Sequence, residues 1–270
     1  MRKPILFLLP LFLLTSAMAQ DAKPIKAVMF VGGGFHDYKT MPRYLADHVG
    51  KFANITFDIK LNEDAAAMAK VFKDPHFADG YDVIVYDICY GEKWEDGDYD
   101  AALNVAASGK PAVFLHCSMH TYRPPRDTKD PLLKQREAIC DAKWHALVGM
   151  DTRVHDKYQA FSTVKAAKDQ PILKSWPDDW KTTGDELYNT IKMMPTATPL
   201  LTAKSPSSGK IHTVAWINNY KGTRIFSTTL GHDMKTGADP AYHQLLADGI
   251  LWTCGKLGED GKPAAGYGGK

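Results

Sequence analysis

The sequence predicts an α/β protein built on a doubly wound, mostly parallel sheet, three layers thick. Three observations carry this. Short β-branched or apolar runs alternate with helical stretches three times in the first half of the chain. These strands read as near-continuous apolar runs, the pattern of strands covered on both faces. Glycine-rich turns and caps punctuate the units.

Taken in order, Ile25 to Val31 is the first strand and runs into Gly32-Gly33-Gly34, with a helix over Tyr38 to Val49. Ile55 to Ile59 is the second strand. Asn62 to Phe72 is Ala-rich and helical, with Asn62 as its N-cap. Tyr81 to Ile88 is a third strand, Tyr99 to Ser108 a helix closed by Gly109, and Pro111 to His116 a fourth strand. After Pro124-Pro125 the pattern changes. Leu132 to Met150 is helical, and five short strands follow at Tyr158–Val164, Leu187–Met194, Leu200–Ala203, His212–Ile217 and Arg224–Leu230. The last two read as a hairpin joined by residues 218–222, and Tyr242 to Thr253 is a closing helix.

The N-terminus has the three parts of a secretory leader: Arg2-Lys3, an apolar run from Ile5 to Leu14, and a small-x-small cleavage site at Ala17-Met18-Ala19. The expectation is an exported, periplasmic or secreted protein, with a leader over 1–19, a single domain over 20–255 and a frayed tail over 256–270. No later segment approaches the ~18 apolar residues of a membrane span, so no stable membrane insertion is expected. Composition is that of a globular domain, 44% hydrophobic and 24% charged, and the net charge of +2 comes from interspersed signs. No basic run supports a nucleic-acid partner. The cysteines Cys89, Cys117, Cys140 and Cys254 allow three full pairings and show no C-x-x-C spacing. In apolar contexts of a core this large, free buried thiols are the favoured reading.

Ligands of open parallel sheets collect beyond the carboxyl ends of the strands. Here those ends are rich in histidine: His36-Asp37 after the first strand, His116 to Tyr122 (with His120) after the fourth, and His232-Asp233 after the last. Four of the chain's ten histidines thus fall at three strand ends. Each is by itself an ordinary structural residue; their convergence is what suggests a site. Gly32-Gly33-Gly34 lacks the G-x-G-x-x-G spacing and is read as a tight turn. His116 and His120 lack the Glu of a zinc-protease helix.

The ordered set Gly34-Phe35-His36-Asp37, Leu115-His116-Cys117, Trp144 to Gly149, His155, Asp185-Glu186-Leu187-Tyr188, Leu230-Gly231-His232-Asp233 and Gly249 to Trp252 resembles the ThuA-like, or trehalose-utilisation, family. The resemblance runs from about Ile25 to Thr253. It implies a flavodoxin-like fold related to class I glutamine amidotransferases, and a link to disaccharide or keto-sugar metabolism. It carries over His36, His116, His155, Glu186 and His232 as a polar pocket, with Tyr188 beside them.

These residues lead to an enzyme acting on a small carbohydrate, such as a 3-keto-sugar or its glycoside. His116 and His232 transfer protons, with Glu186 the third catalytic candidate. His36, Asp37, His120, Tyr122, His155 and Tyr188 bind the ligand. A divalent metal on His36, His116, His155 and Glu186 is the cofactor such a set would accept. A non-catalytic sugar-binding protein would use the same pocket. The amidotransferase relationship adds a third reading, with Cys117 as the elbow nucleophile and His232 its base. Against it, Leu115 and Met119 stand where elbow glycines would, and Met234 where the orienting acid would.

Overall fold

The computed structural model describes residues 22–91, 98–124 and 129–269; the expected leader lies outside them. Three βα units open the chain: β1 (Ile25–Gly32) and α1 (Met41–Val49), β2 (Ile55–Leu61) and α2 (Ala65–Lys73), β3 (Val83–Ile88) and α3 (Asp98–Ala107). β4 (Ala112–Leu115) runs directly into a 3₁₀ turn, His116–His120. Then come α4 (Pro131–Cys140), a π-helical turn (Asp141–His145), α5 (Ala146–Val148), β5 (Met150–His155), β6 (Gln159–Lys165), β7 (Lys181–Asp185), β8 (Tyr188–Met193), β9 (Ala197–Lys204), β10 (Ile211–Tyr220) and β11 (Thr223–Thr228). α6 (Met234–Gly237) and α7 (Pro240–Thr253) follow.

One nine-stranded sheet organises these elements, in the order β2-β1-β3-β4-β11-β10-β9-β6-β7. The first five are parallel; β10, β9, β6 and β7 each run antiparallel to the preceding neighbour. β5 and β8 form a separate antiparallel pair. The chain crosses from one side of β1 to the other between β2 and β3, so its switch point lies beside the end of β1.

Alternate residues of β1 serve two cores. Ala27, Met29 and Val31 pack with Leu45 and Val49 of α1 and with Tyr242, Leu245 and Ile250 of α7. Val28 and Phe30 pack with Met68 and Phe72 of α2, Val105 of α3 and Trp144 of the π turn. Each face is therefore covered, which is why these strands carry little polar alternation.

Several boundaries depart from expectation for identifiable reasons. Asp64, not Asn62, caps α2: its carboxylate accepts the Ala67 N–H at 2.7 Å, while Asn62 accepts the Asp64 N–H. The helix expected over Leu132–Met150 is broken by the π turn and ended by Gly149 at φ 94°, so Met150 begins a strand. β5 and β7 were not expected, because MDTRVH and KTTGD lack an apolar run; pairing to β8 and β6 makes them strands. The β10–β11 hairpin is longer than expected, with Tyr220 opposite Thr223 and a two-residue turn, Lys221-Gly222, at φ 51° and 87°. The tail, expected to fray, is pinned along residues 256–268: Tyr267 O accepts the Asn54 N–H, Gly268 bridges to Ala53, and Tyr267 packs against the core.

The cysteine reading also changes. Cys89 and Cys117 are joined in a disulfide, with their Cα atoms 5.1 Å apart, while Cys140 and Cys254 are free. The parallel pairing of β3 with β4 brings the two strand ends together, a proximity that a separation of 28 residues does not reveal.

Candidate active site

The carboxyl ends of β1, β3, β4 and β11 enclose a cavity of about 230 Å³. His36, His120, Arg123, His155, Glu186, Tyr188 and His232 line it, with Phe35 and Gly91 at its wall and the Cys89–Cys117 disulfide among its lining groups. A larger cleft of about 550 Å³ lies at the opposite ends of the strands, beside Ile25 and Pro111, and no histidine lines it.

Backbone geometry at the strand ends makes this site. Gly33, at φ 123°, passes so close to β3 that a Cβ there would fall 2.0 Å from the Cys89 carbonyl oxygen. That close approach turns the chain so that His36 reaches the switch point. At the end of β4, His116 adopts φ 41°, a left-handed conformation uncommon for a residue other than glycine. Such local strain clusters at functional positions.

The Glu186 carboxylate is the hub. Oε2 lies 3.4 Å from His116 Nε2 and 3.3 Å from His232 Nδ1, and Oε1 lies 3.6 Å from His155 Nε2. His116 Nδ1 donates to the Thr229 carbonyl at 2.7 Å, and the Tyr188 hydroxyl lies 3.3 Å from His116 Nε2. The ring centroids of His36, His116 and His232 are 4.8, 4.9 and 5.4 Å apart pairwise. His120 stacks on Tyr188 at 4.3 Å. Behind this layer the buried Asp185 carboxylate accepts the backbone N–H groups of Glu186, Gly231 and His232 at 2.8, 2.9 and 3.1 Å.

The environments push the titrating groups apart. Burial, reinforced by the neighbouring His116 and His232, lowers the His36 imidazole to about 3, so it is neutral. Burial likewise holds His120 well below its usual value. Burial alone would raise Glu186, but its close contacts with His116 and His232 and their charges outweigh it and hold the carboxyl well below the ordinary range. The Glu186 carboxylate beside it raises His232 against the opposing effect of burial. Burial pushes Asp87, near the end of β3, up to about 7, with His116 opposing. The result is an ionised Glu186, a cation-prone His232 and neutral His36 and His120 in one cavity.

The ThuA family, described as trehalose utilisation, matches residues 26–253. The chain belongs to the ThuA family. Two ThuA-like proteins of solved structure share the fold. That from Parabacteroides merdae has a TM-score of 0.63 at 18% identity, covering 92% of this chain and 98% of its own. That from Bacteroides uniformis has a TM-score of 0.60 at 15% identity, covering 87% and 94%. The glutaminase domain of Trypanosoma brucei CTPS aligns over 90% of this chain and 99% of its own at 12% identity, with a TM-score of 0.47. No curated protein gives a significant match. This ThuA-family chain thus has the α/β fold of the two ThuA-like proteins.

Of the residues singled out from sequence, this ThuA-family fold brings His36, His116, His120, His155, Glu186, Tyr188 and His232 together. His116 is only 2% exposed and meets the cavity through Glu186 and Tyr188. Two residues are not brought in. Asp37 is exposed and its carboxylate accepts the Thr40 N–H, shaping the turn before α1. Tyr122 is buried in the core that α2, α3 and the π turn cover, 5.0 Å from Trp144. The elbow position belongs to His116, not Cys117, and the Cys117 sulfur is committed to Cys89, which overturns the nucleophile reading. The donor set for a metal also shifts: His36, His116 and His232 offer nitrogens within 4.8 Å of one another, whereas His155 stands beside them against Glu186 and Tyr188.

Sequence reading missed Asp87, Arg123 and the role of Asp185. Asp87 sits inside an apolar strand and Arg123 in a loop, and neither carries a motif. Asp185 was visible as half of an acidic pair, but its three main-chain partners lie on segments that meet only in the fold.

Proposed function

We propose that this chain is an exported carbohydrate-active enzyme that moves a proton next to the carbonyl of an oxidised sugar, such as a 3-keto-glycoside. The observation that supports this most is the Glu186–His232 contact, 3.3 Å long, at a cavity about the size for one sugar ring. A C–H beside a carbonyl is acidic, and a histidine whose basicity is raised by a neighbouring carboxylate is suited to remove and return that proton. Glu186, held ionised, is a weak base; its part is to raise His232 and orient it. His36 presents a buried Nδ1 with no hydrogen-bond partner among the described residues, a nitrogen that a substrate hydroxyl would satisfy. His120, whose Nε2 likewise has no partner among the described residues, does the same from the turn after β4.

A second reading is favoured by the donor chemistry. Three imidazoles and one carboxylate form a nitrogen-and-oxygen set that suits zinc or another borderline divalent cation. Such an ion would supply Lewis-acid polarisation of the sugar carbonyl. His155, 39% exposed at its side chain and 3.6 Å from Glu186, would then be the imidazole left free to exchange protons with substrate.

The test is solvent exchange followed by NMR. Incubation of a 3-keto-glucoside with the protein in D₂O should label the carbon beside the carbonyl faster than with heat-denatured protein. His232→Ala should slow this about 10²–10⁴-fold while circular dichroism stays unchanged. Binding of the sugar with no acceleration of exchange or turnover would mark a binding protein and sink the enzymatic reading.

A further inference from the structure

The cavity wall holds two sulfurs that the proposed chemistry leaves unused. Cys89, just past β3, and Cys117, in the turn after β4, line the pocket together with His36. One ring nitrogen of His36 and the two sulfurs all lie within 4.8 Å of one another. His36 Nδ1 is buried and has no hydrogen-bond partner among the described residues. The backbone fixes all three positions. Parallel pairing of β3 with β4 holds the Cys89 and Cys117 Cα atoms 5.1 Å apart. The Cys89 N–H donates to the Gly32 carbonyl at 2.7 Å, which ties the segment leading to His36 to Cys89. Ser118, next to Cys117, donates its hydroxyl to the Tyr86 carbonyl at 2.7 Å and accepts the Ile88 N–H at 3.1 Å. None of these contacts uses a sulfur, so opening the S–S bond leaves the three donors side by side.

Joined to each other, the sulfurs are poor ligands, because the thiolate is the form that binds a metal. Separated, they form with His36 a two-sulfur, one-nitrogen set, which suits zinc and other thiophilic ions. Zinc takes thiolate sulfur at about 2.3 Å and imidazole nitrogen at about 2.0–2.1 Å in a tetrahedral arrangement. Two thiolates on one such ion stand roughly 3.8 Å apart, a separation that side-chain rotation supplies without moving the strands. Three protein donors leave the fourth position to solvent.

We propose that reduction of the Cys89–Cys117 bond creates a metal site on Cys89, Cys117 and His36, which takes zinc or a similar thiophilic ion and withdraws His36 from the imidazole group. The reductant is a dithiol: it gives two electrons and two protons to the bond, leaves two cysteine thiols, and departs as its own disulfide. Zinc binding then displaces the two thiol protons. This site shares only His36 with the nitrogen-and-oxygen set around Glu186. The test uses cobalt(II) as the probe, with and without a water-soluble phosphine, which takes the oxygen of a water as it reduces the bond. Reduced protein should bind one cobalt ion per chain with thiolate-to-cobalt charge-transfer absorption, and unreduced protein should show no such band. The Cys89→Ser, Cys117→Ser double variant should lose the band, whereas Cys140→Ala and His232→Ala should keep it. His36→Ala should weaken the binding read from the band by more than the roughly 10–100-fold that losing an outer-shell partner costs. Zinc should displace the cobalt, shield reduced Cys117 from iodoacetamide and raise the melting temperature of the reduced protein. No band in reduced protein, a band that survives in the double serine variant, or unchanged binding in His36→Ala overturns the proposal. A band lost in His232→Ala, or reduced protein that unfolds and is not rescued by zinc, overturns it as well.

Discussion

Asp185 holds His232 through the main chain: its buried carboxylate accepts the His232 N–H at 3.1 Å and the adjacent Gly231 N–H at 2.9 Å. The same carboxylate accepts the Glu186 N–H at 2.8 Å, so one side chain aligns both members of the central pair.

Replacing Asp185 should therefore disturb stability and site geometry together. Asp185→Ala strands three N–H groups, at about 1–3 kcal/mol for each that stays buried and unsatisfied. A loss of even 2 kcal/mol corresponds to about 4–8 °C in a domain of this size. Asp185→Asn keeps one acceptor oxygen and should lose less. Thermal unfolding of both variants is the check; a melting temperature within a degree of wild type for Asp185→Ala would contradict the assigned role.

The coupling of Glu186 to His232 has a pH signature. His232 is raised above 6.5 by Glu186, so its stabilising contribution is complete below that value and is lost as pH rises through its folded pKa. Glu186 is lowered below 4.5, so its contribution is present above that value and is lost as pH falls through its folded pKa. The stability gap between wild type and Glu186→Gln should be widest at about pH 4.5–6.5 and narrow on the alkaline side. In EDTA-treated protein, NMR titration should also show a lower His232 pKa in Glu186→Gln, because the burial that opposes protonation remains.

Metal affinity separates the two catalytic schemes. If the three imidazoles and Glu186 take up zinc, addition of Zn²⁺ should raise the melting temperature, by about 2.7 kcal/mol of stabilisation at one hundred times Kd. His36→Ala and His232→Ala should each weaken that shift. Elemental analysis of protein purified without chelators, together with this titration, decides between His232 and His155 as the proton-transfer group.

The Cys89–Cys117 bond predicts that Cys117 resists iodoacetamide until the protein is reduced. In the chain-entropy description, a loop of 28 residues contributes about 3–4 kcal/mol of stability. The Cys89→Ala, Cys117→Ala double variant should thus melt roughly ten degrees lower. Substitution should leave catalysis per folded molecule largely intact, since neither sulfur acts as a nucleophile. Labelling of Cys117 in the unreduced native protein would contradict the bond.

Much of this molecule was legible in its sequence because the relevant signals are local. The apolar runs at Ile25–Val31, Tyr81–Ile88 and Pro111–His116 specify buried parallel strands wherever they occur, and the residues just beyond them fall on one edge of the sheet. With the run Arg224–Leu230, which leads into His232, these ends bring His36, His116 and His232 near one another. The decisions left to the tertiary structure depend on contacts between distant segments. Strands β5 and β7 exist because β8 and β6 pair with them, not because their own residues demand it. Tyr122 and Asp37 stand close in sequence to pocket histidines, yet one turns into the core and the other into a turn. Cys117 and Cys89 meet because β3 lies beside β4. Asp185 acquires its role because the end of β7 meets the loop after β11, where a buried carboxylate must find donors and unpaired main-chain N–H groups must find an acceptor.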